Sequence, residues 1–358
     1  MTNTQNDCIF WLDNVTKNHY HLVGKKSANL GELTRAGFRV PRGFALSMDM
    51  YKKFMEKTGA LEEVNHYLKK FHVYDNGPAS FNKYEEASHK IRHIVESKRW
   101  PPGLYDFIAR YYEELCKKTG IDNVPVAVRS SGPLSHPGQY ETYLYVRGSA
   151  KVLQAIIKVI SSTFNVSSLL AREKAGLPMN YDPIGVAVMQ MVDAKSAGVM
   201  FTLNPVNGDR SKIVIEGNWG LGKSVVEGFV TPDKWQIDKV VLEITRRKIS
   251  NKHIEYLVDH KLKKVKELDT PYERQAAPCL NDEEIIELAR KSKAVERHFD
   301  IPQDIEWAID KDLSFPNNIF FVQARPDTIW SSRKEGSKLK TTGNPSRDVI
   351  NFYRNLKA

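Results

Sequence analysis

The stretch Gln303–Thr328 carries a carboxylate at Glu306, an amide at Gln323 and a guanidinium at Arg325. Two runs with strand character, Asp304–Asp310 and Ile319–Arg325, flank a polar loop holding Pro316, Asn317 and Asn318, which is the pattern of a β-hairpin. A loop centred between Ser314 and Phe315 sets Glu306 opposite Gln323, and opposed residues have their Cβ atoms about 5 Å apart. Alternation then puts Gln323 and Arg325 on one face. Two oxygen ligands beside a fixed cation suit a magnesium–polyphosphate complex, because Mg²⁺ takes few protein oxygens and completes its shell with phosphates, while arginine grips phosphate through two donors. The other reading is an edge hairpin with an exposed salt bridge, and a one-residue bulge in the loop would break the pairing.

Further candidates lie upstream. In Val23–Gly43, Gly24 gives a turn, Lys25 and Lys26 follow, and a short helix is expected from about Ala28 to just before Gly37. A lysine just before a helix N-terminus, where backbone N–H groups point outward, suits a phosphate, although a solvated lysine pair fits the same residues. Val124–Val128 reads as a buried strand leading to Arg129, Ser130 and Ser131, and then to a loop with Gly132, Pro133, Pro137 and Gly138. Glycine lets backbone amides approach closely, so such a loop can fold over a phosphate chain; it can equally be a plain hairpin turn. His136 within it reads as a surface residue before a catalytic base. Gln190 shares a strand face with Ile184, Val186 and Val188, where a lone amide calls for a partner such as a nucleotide base or a backbone group. Gly217–Ser224 fits the P-loop pattern G-x-x-x-x-G-K-S. A P-loop needs a helix of several turns from its lysine, and Gly228 and Pro232 interrupt the chain too soon, so this match is expected to be a decoy.

The elements that must position these residues fall into two blocks. At 358 residues the chain exceeds one typical core, and we divide it into an N-terminal lobe 1–180, a C-terminal lobe 181–330 and a charged tail 331–358 with a short helical stretch at Pro345–Lys357. Met48–Lys118 has helical period, with Leu104, Phe107, Ile108, Tyr111 and Leu115 as one apolar stripe. Helices are expected at about Ala150–Phe164 and Ser167–Ala175, strands from Ile184 through AGVMFTLNP and KIVIEGNW, and a helix at Asn281–Phe299 with an Asn cap and Glu284 three residues on.

Composition is that of an ordinary globular protein, 41% hydrophobic and 27% charged. No run of 18 apolar residues and no signal pattern is present, which leads to a cytoplasmic expectation and no membrane role. Cys8, Cys116 and Cys279 are isolated and read as free thiols. The net charge of +10 is spread out, densest in Arg246–Lys266 where basic and apolar residues alternate. That argues against nucleic acid and for anionic nucleotides or an acidic partner chain.

Taken in order, VGKKSANLGEL, VAVRSS, PGQYETYL, AGVMFTLNP, GNWGLG with VTPDKW, and DIEWA with VQARP resemble the N-terminal nucleotide-binding region of the phosphoenolpyruvate synthase and pyruvate phosphate dikinase family over about residues 20–330. The resemblance implies an α+β, two-lobed ATP-grasp fold with antiparallel sheets and flanking helices, clasping ATP and Mg²⁺. It implies that Lys26 and Arg129 contact phosphate, that Gly138 and Thr142 belong to the closing loop, and that Gln190 lies on the nucleotide side. It further implies Glu306 and Gln323 as magnesium and ribose-side oxygens and Arg325 as the second phosphate-binding arginine.

Departures are a shortened loop after Ser131 without the usual Glu-Asp pair, Lys25 in place of a second glycine, and Lys223 where Glu is common. The family passes the β-phosphoryl of ATP to a histidine on a swivelling domain, and none of the ten histidines has the family's TSHA-type setting. The expected arrangement is therefore an ATP-binding subunit that works with a histidine-bearing partner subunit, as in phenylphosphate synthase of anaerobic phenol metabolism. The nucleotide-binding part of a phosphoenolpyruvate synthase is the second expectation, and a non-catalytic ATP-sensing subunit the third.

Overall fold

The computed structural model describes residues 8–71, 78–133, 140–180 and 182–330. Gly138, His136 and the tail 331–358 lie outside these described residues.

The first lobe runs β1 (Ile9–Trp11), α1 (Tyr20–Arg35), β2 (Gly43–Leu46), α2 (Met48–Lys57), α3 (Ala60–Leu68), α4 (Pro78–Glu96) and α5 (Pro102–Thr119). It continues with β3 (Val126–Ser131), β4 (Thr142–Val146), α6 (Ser149–Ser161), α7 (Val166–Lys174) and β5 (Gly185–Gln190). Its five strands pair antiparallel in the order β1-β2-β5-β3-β4. The expected helical stripe forms: Leu104, Phe107, Ile108 and Leu115 are buried, and Tyr111 packs partly buried beside them. That stripe meets Val126, Val128, Val186 and Val188, alternate residues of β3 and β5 that share one sheet face.

The second lobe runs β6 (Ala194–Phe201), β7 (Lys212–Trp219), α8 (Lys223–Val226), β8 (Asp233–Asp238), β9 (Ile244–Lys248), β10 (Ile254–Asp259), β11 (Lys264–Asp269), α9 (Tyr272–Gln275), α10 (Asp282–Phe299), β12 (Gln303–Asp310) and β13 (Ile319–Pro326). Six strands form a second sheet in the order β13-β12-β6-β7-β8-β9, and β10 and β11 make a separate ribbon. On one sheet face α10 buries Ile285, Leu288 and Val295 against Ile215, Trp235 and Trp307. Helix α10 starts with the expected reciprocal cap: Asn281 Oδ1 accepts from the Glu284 N–H at 2.8 Å, and Glu284 accepts from the Asn281 N–H at 3.0 Å. The chain is thus an α+β molecule with two lobes.

Two expectations shift. Strand β5, which the division at 180 and 181 gave to the second lobe, sits between β2 and β3 in the first sheet. The change of sheet therefore falls between Gln190 and Ala194. Helix α1 is broken at Gly24, whose φ is 77°, and is helical from Lys25, three residues earlier than Ala28. The reason is a cap from far along the chain: Ser131 Oγ accepts from the Ser27 N–H at 2.9 Å, and the Gly132 carbonyl accepts from the Lys25 N–H at 3.0 Å. The C-terminal end follows expectation, with Gly37 at φ 85° and the Phe38 N–H bonded to the Leu33 carbonyl.

Helix α1 joins the lobes. Ala28 and Leu30 belong to the first lobe's core, while Leu33 belongs to the second's. Asn29 Nδ2 donates to the Ala324 carbonyl on β13 at 2.8 Å, and Glu32 lies 2.8 Å from His298 Nε2 on α10. Among the described residues no single helix is long and apolar enough to cross a membrane.

A Cβ at Gly24 would stand 1.8 Å from the Ser131 carbonyl oxygen. Gly24→Ala is therefore expected to cost about 3 kcal/mol of stability through overlap and backbone strain. Equilibrium urea denaturation checks this; a loss below about 1 kcal/mol would mean the junction of α1 and β3 yields easily.

Candidate active site

The hairpin pairs Glu306 with Gln323 and Asp304 with Arg325. The pairing at Glu306 is as expected, but it is reached differently. On the turn side of Glu306 every partner comes one position earlier, Trp307 opposite Phe321, and a bulge between Glu306 and Trp307 restores the register. The irregularity lies inside the strand pair, so it aligns the two side chains where a bulge in the loop would have parted them.

Gln323 Nε2 donates to Glu306 Oε1 at 2.8 Å. Gln323 Oε1 accepts from Arg129 Nη2, and Arg129 Nη1 lies 3.8 Å from Glu306 Oε2 and donates to the Val322 carbonyl at 3.4 Å. Arg129 comes from β3 in the first lobe, paired with Thr142 on one side and Ala187 on the other. It was expected to follow its strand and instead lies within it. One guanidinium from one lobe thus stands against two oxygens of the other, while its buried Nε has no hydrogen-bond partner.

Lys26, in the first helical turn after Gly24, completes the group. Burial first, and the Arg129 charge second, lower its pKa from 10.5 to about 8; Glu306 opposes this and Arg325 adds to it. The backbone N–H groups expected to face a phosphate do not all do so, because those of Lys25 and Ser27 are engaged by Gly132 and Ser131.

Arg325 is not free: its Nε donates to Asp304 Oδ2 at 2.7 Å. Burial pushes the Asp304 carboxyl above its ordinary value, with Arg325 pulling it back. Asp304 is the site residue that the sequence reading missed. The same alternation that places Glu306 places Asp304 two residues earlier on the same face.

Between the lobes lies a cavity of about 440 Å³ lined by Arg129, Thr142, Gln190, Lys223 and Glu306, with Met189, Val192, Leu221 and Tyr256 among its apolar walls. Gln190, at the end of β5, and Thr142, at the start of β4, therefore come together with Arg129 and Glu306. A more open hollow of about 1230 Å³ lies on the outer helices, at Tyr67, Phe71 and His93, and shares no lining residue with the cleft. Gly217 and Asn218 of the P-loop-like stretch lie within β7, paired with β6, and the helix after it is the four-residue α8. A single turn cannot serve as a P-loop helix. Lys223 instead lies 5.1 Å from the centre of the Tyr256 ring and 4.0 Å from Glu227.

The cavity sets Arg129 and Glu306 beside apolar walls, and Gln323, Lys26 and Arg325 lie next to that pair without lining the cavity themselves. The model of the pyruvate phosphate dikinase AMP/ATP-binding domain matches residues 20–344. The chain belongs to this family. Within it, the chain is 40% identical over 357 residues to a probable phosphoenolpyruvate synthase of Staphylothermus marinus, covering 92% of this chain and 42% of that protein. It is 37% identical to the phosphoenolpyruvate synthase of Aeropyrum pernix, over 93% of this chain and 44% of the relative, and 34% identical to a probable one of Methanocaldococcus jannaschii, over 94% and 28%. The chain therefore spans less than half the length of these dikinase-family relatives.

Two outcomes follow for the cleft. Between pH about 8 and the ordinary lysine value, the folded chain binds fewer protons at Lys26 than the unfolded chain, so stability rises with pH across that window. An anion that restores the charge takes up a proton there. Calorimetry of ATP binding at about pH 9, in buffers of different ionisation heat, should show uptake approaching one proton, lost in Lys26→Met. Equal uptake in both proteins would remove Lys26 as the source. Second, Lys223→Ala should weaken ATP binding less than Lys26→Ala or Arg129→Ala. The reverse order would return the phosphates to the P-loop-like stretch.

Proposed function

We propose that the cleft binds ATP together with Mg²⁺, and that this chain is the nucleotide-binding part of a phosphoenolpyruvate synthase-type phosphotransferase. The observation that carries the reading is the convergence of Glu306 Oε2 and Gln323 Oε1 on one cation from the opposite lobe. Oxygens that accommodate a guanidinium suit Mg²⁺, which is satisfied by few protein oxygens and by phosphates. Glu306 and Gln323 would hold the ion, and it would supply neutralisation of charge on the phosphate oxygens.

In this reading Arg129 leaves its two oxygens for the phosphates, and its orphaned Nε gains a partner. Lys26 and Arg325 flank the same anion, Gln190 and the apolar walls take the base, and Thr142 stands beside the phosphates at the edge of β4. The protein's part in transfer is positioning and charge stabilisation, since phosphoryl transfer leaves little covalent work to the protein. ATP, water and a histidine give AMP, phosphate and a phosphohistidine. The acceptor histidine is proposed to lie on a swivelling domain or subunit other than the residues described here.

The related proteins named above are phosphoenolpyruvate synthases. They support this reading over the phenol-phosphorylating arrangement that the missing histidine first suggested. A non-catalytic ATP sensor is disfavoured by the retained Glu306, Gln323, Arg129 and Arg325.

Arg325→Ala is expected to weaken MgATP binding by about 2–4 kcal/mol, the scale of a truncated charge-assisted phosphate contact. Equal calorimetric affinity in wild type and variant would sink the assignment. With β-³²P-ATP, the chain by itself should hydrolyse little ATP and stay unlabelled, because lobe closure excludes water from the phosphates. Addition of a protein carrying the family's histidine domain should release AMP and place the label on that protein. Stable labelling of a histidine in this chain, with His136 the first suspect, would make it a self-contained kinase.

A further inference from the structure

Asp304 stands directly across the hairpin from Arg325, and its side chain is 13% exposed. Arg325 Nε and Nη2 both donate to the single oxygen Oδ2 of Asp304. Arg325 Nη1 makes no hydrogen bond among the described residues. By charge alone this carboxylate is out of place. It adds a negative charge near Glu306 in a cleft whose ligand is anionic, and burial already works against its ionised form.

What it provides is direction. A free arginine gives up side-chain entropy on fixing itself to a ligand. One whose Nε–Nη2 edge is already clamped has lost that freedom beforehand, and its remaining Nη1 donors point in a fixed direction. Arg325 stands two residues from Gln323 on β13, so the two side chains share one face of the strand, the face on which Gln323 meets Arg129 and Glu306. Glu306, the other carboxylate of β12's site face, is engaged by Gln323 and Arg129.

We infer that Asp304 is a positioning residue for Arg325, clamping one edge of the guanidinium so that Nη1 is presented to the phosphates of the bound nucleotide. The inference rests on the nucleotide-binding reading proposed above. It makes a prediction opposite in sign to simple electrostatics. Removing a negative charge from an anion site should tighten binding, whereas removing the clamp should loosen it.

The test is calorimetric titration of the full chain with MgATP and, separately, with adenosine, which carries no phosphate. Asp304→Asn should bind MgATP roughly tenfold more weakly, the scale of one charge-assisted hydrogen bond, with adenosine affinity unchanged. In an Arg325→Ala background the same substitution should cause no further weakening, because the residue it positions is gone. Unchanged or tighter MgATP binding in Asp304→Asn overturns the inference, as does an equal loss for MgATP and adenosine, which would mark a structural role. If Asp304→Asn fails to fold, Asp304→Glu keeps the charge, displaces the clamp by one methylene and is read by the same two ligands. Wild-type protein that binds neither ligand would instead refute the nucleotide reading itself, and this inference with it.

Discussion

Lys26, Arg129 and Arg325 lie near enough for the charges of both arginines to act on Lys26, and the two carboxylates of β12 offset that crowding. Like charges a few ångströms apart away from water repel by several kcal/mol. Burial first, and this repulsion from Arg129 second, bring the Lys26 pKa down to about 8. Asp304 takes Arg325, and Glu306 with Gln323 takes Arg129. Among the described residues Glu306 is the carboxylate whose charge acts on Lys26, and it does not offset burial and the two arginines. An excess of one cation at the meeting of two lobes is a standing attraction for an anion.

Much of the architecture serves to place those three cations. Arg129 rides on β3, whose own end, at Ser131 and Gly132, caps the helix that carries Lys26. Arg325 rides on β13, to which Asn29 of the same helix is bonded at the Ala324 carbonyl. Helix α1 is thus tied to both strands within a few residues of both arginines.

What the sequence made legible was local and periodic. Alternation gave the faces of β12 and β13, a capping box gave the start of α10, and the breakers Gly228 and Pro232 correctly undid the P-loop match at Gly217–Ser224. What it did not show required partners far along the chain. The start of α1 depends on Ser131, more than a hundred residues away, and no local signal at Lys25 announces it. The lobe boundary was misplaced because a buried strand such as Gly185–Gln190 reads the same in either sheet; pairing with β2 and β3 decides it. Asp304 was overlooked for a different reason. It lies on the face already identified, but a carboxylate in an anion site looks wrong until its guanidinium partner is seen.

The small donor set of the cleft also bears on how a metal would arrive. Among the described residues no three His, Cys, Asp or Glu side chains converge to hold an ion. Glu306 and Gln323 offer two oxygens, and both face Arg129. Two protein oxygens leave a hexacoordinate ion short of ligands, which suits an ion that brings phosphates and water as the rest of its shell. An ion without phosphate would have to displace the guanidinium and gain nothing in exchange for it. A nucleotide with its metal offers the guanidinium a new anion at the moment it leaves. In the proposed reading metal and nucleotide would then bind as one ligand, and the contact between Arg129 and Gln323 would link the two events.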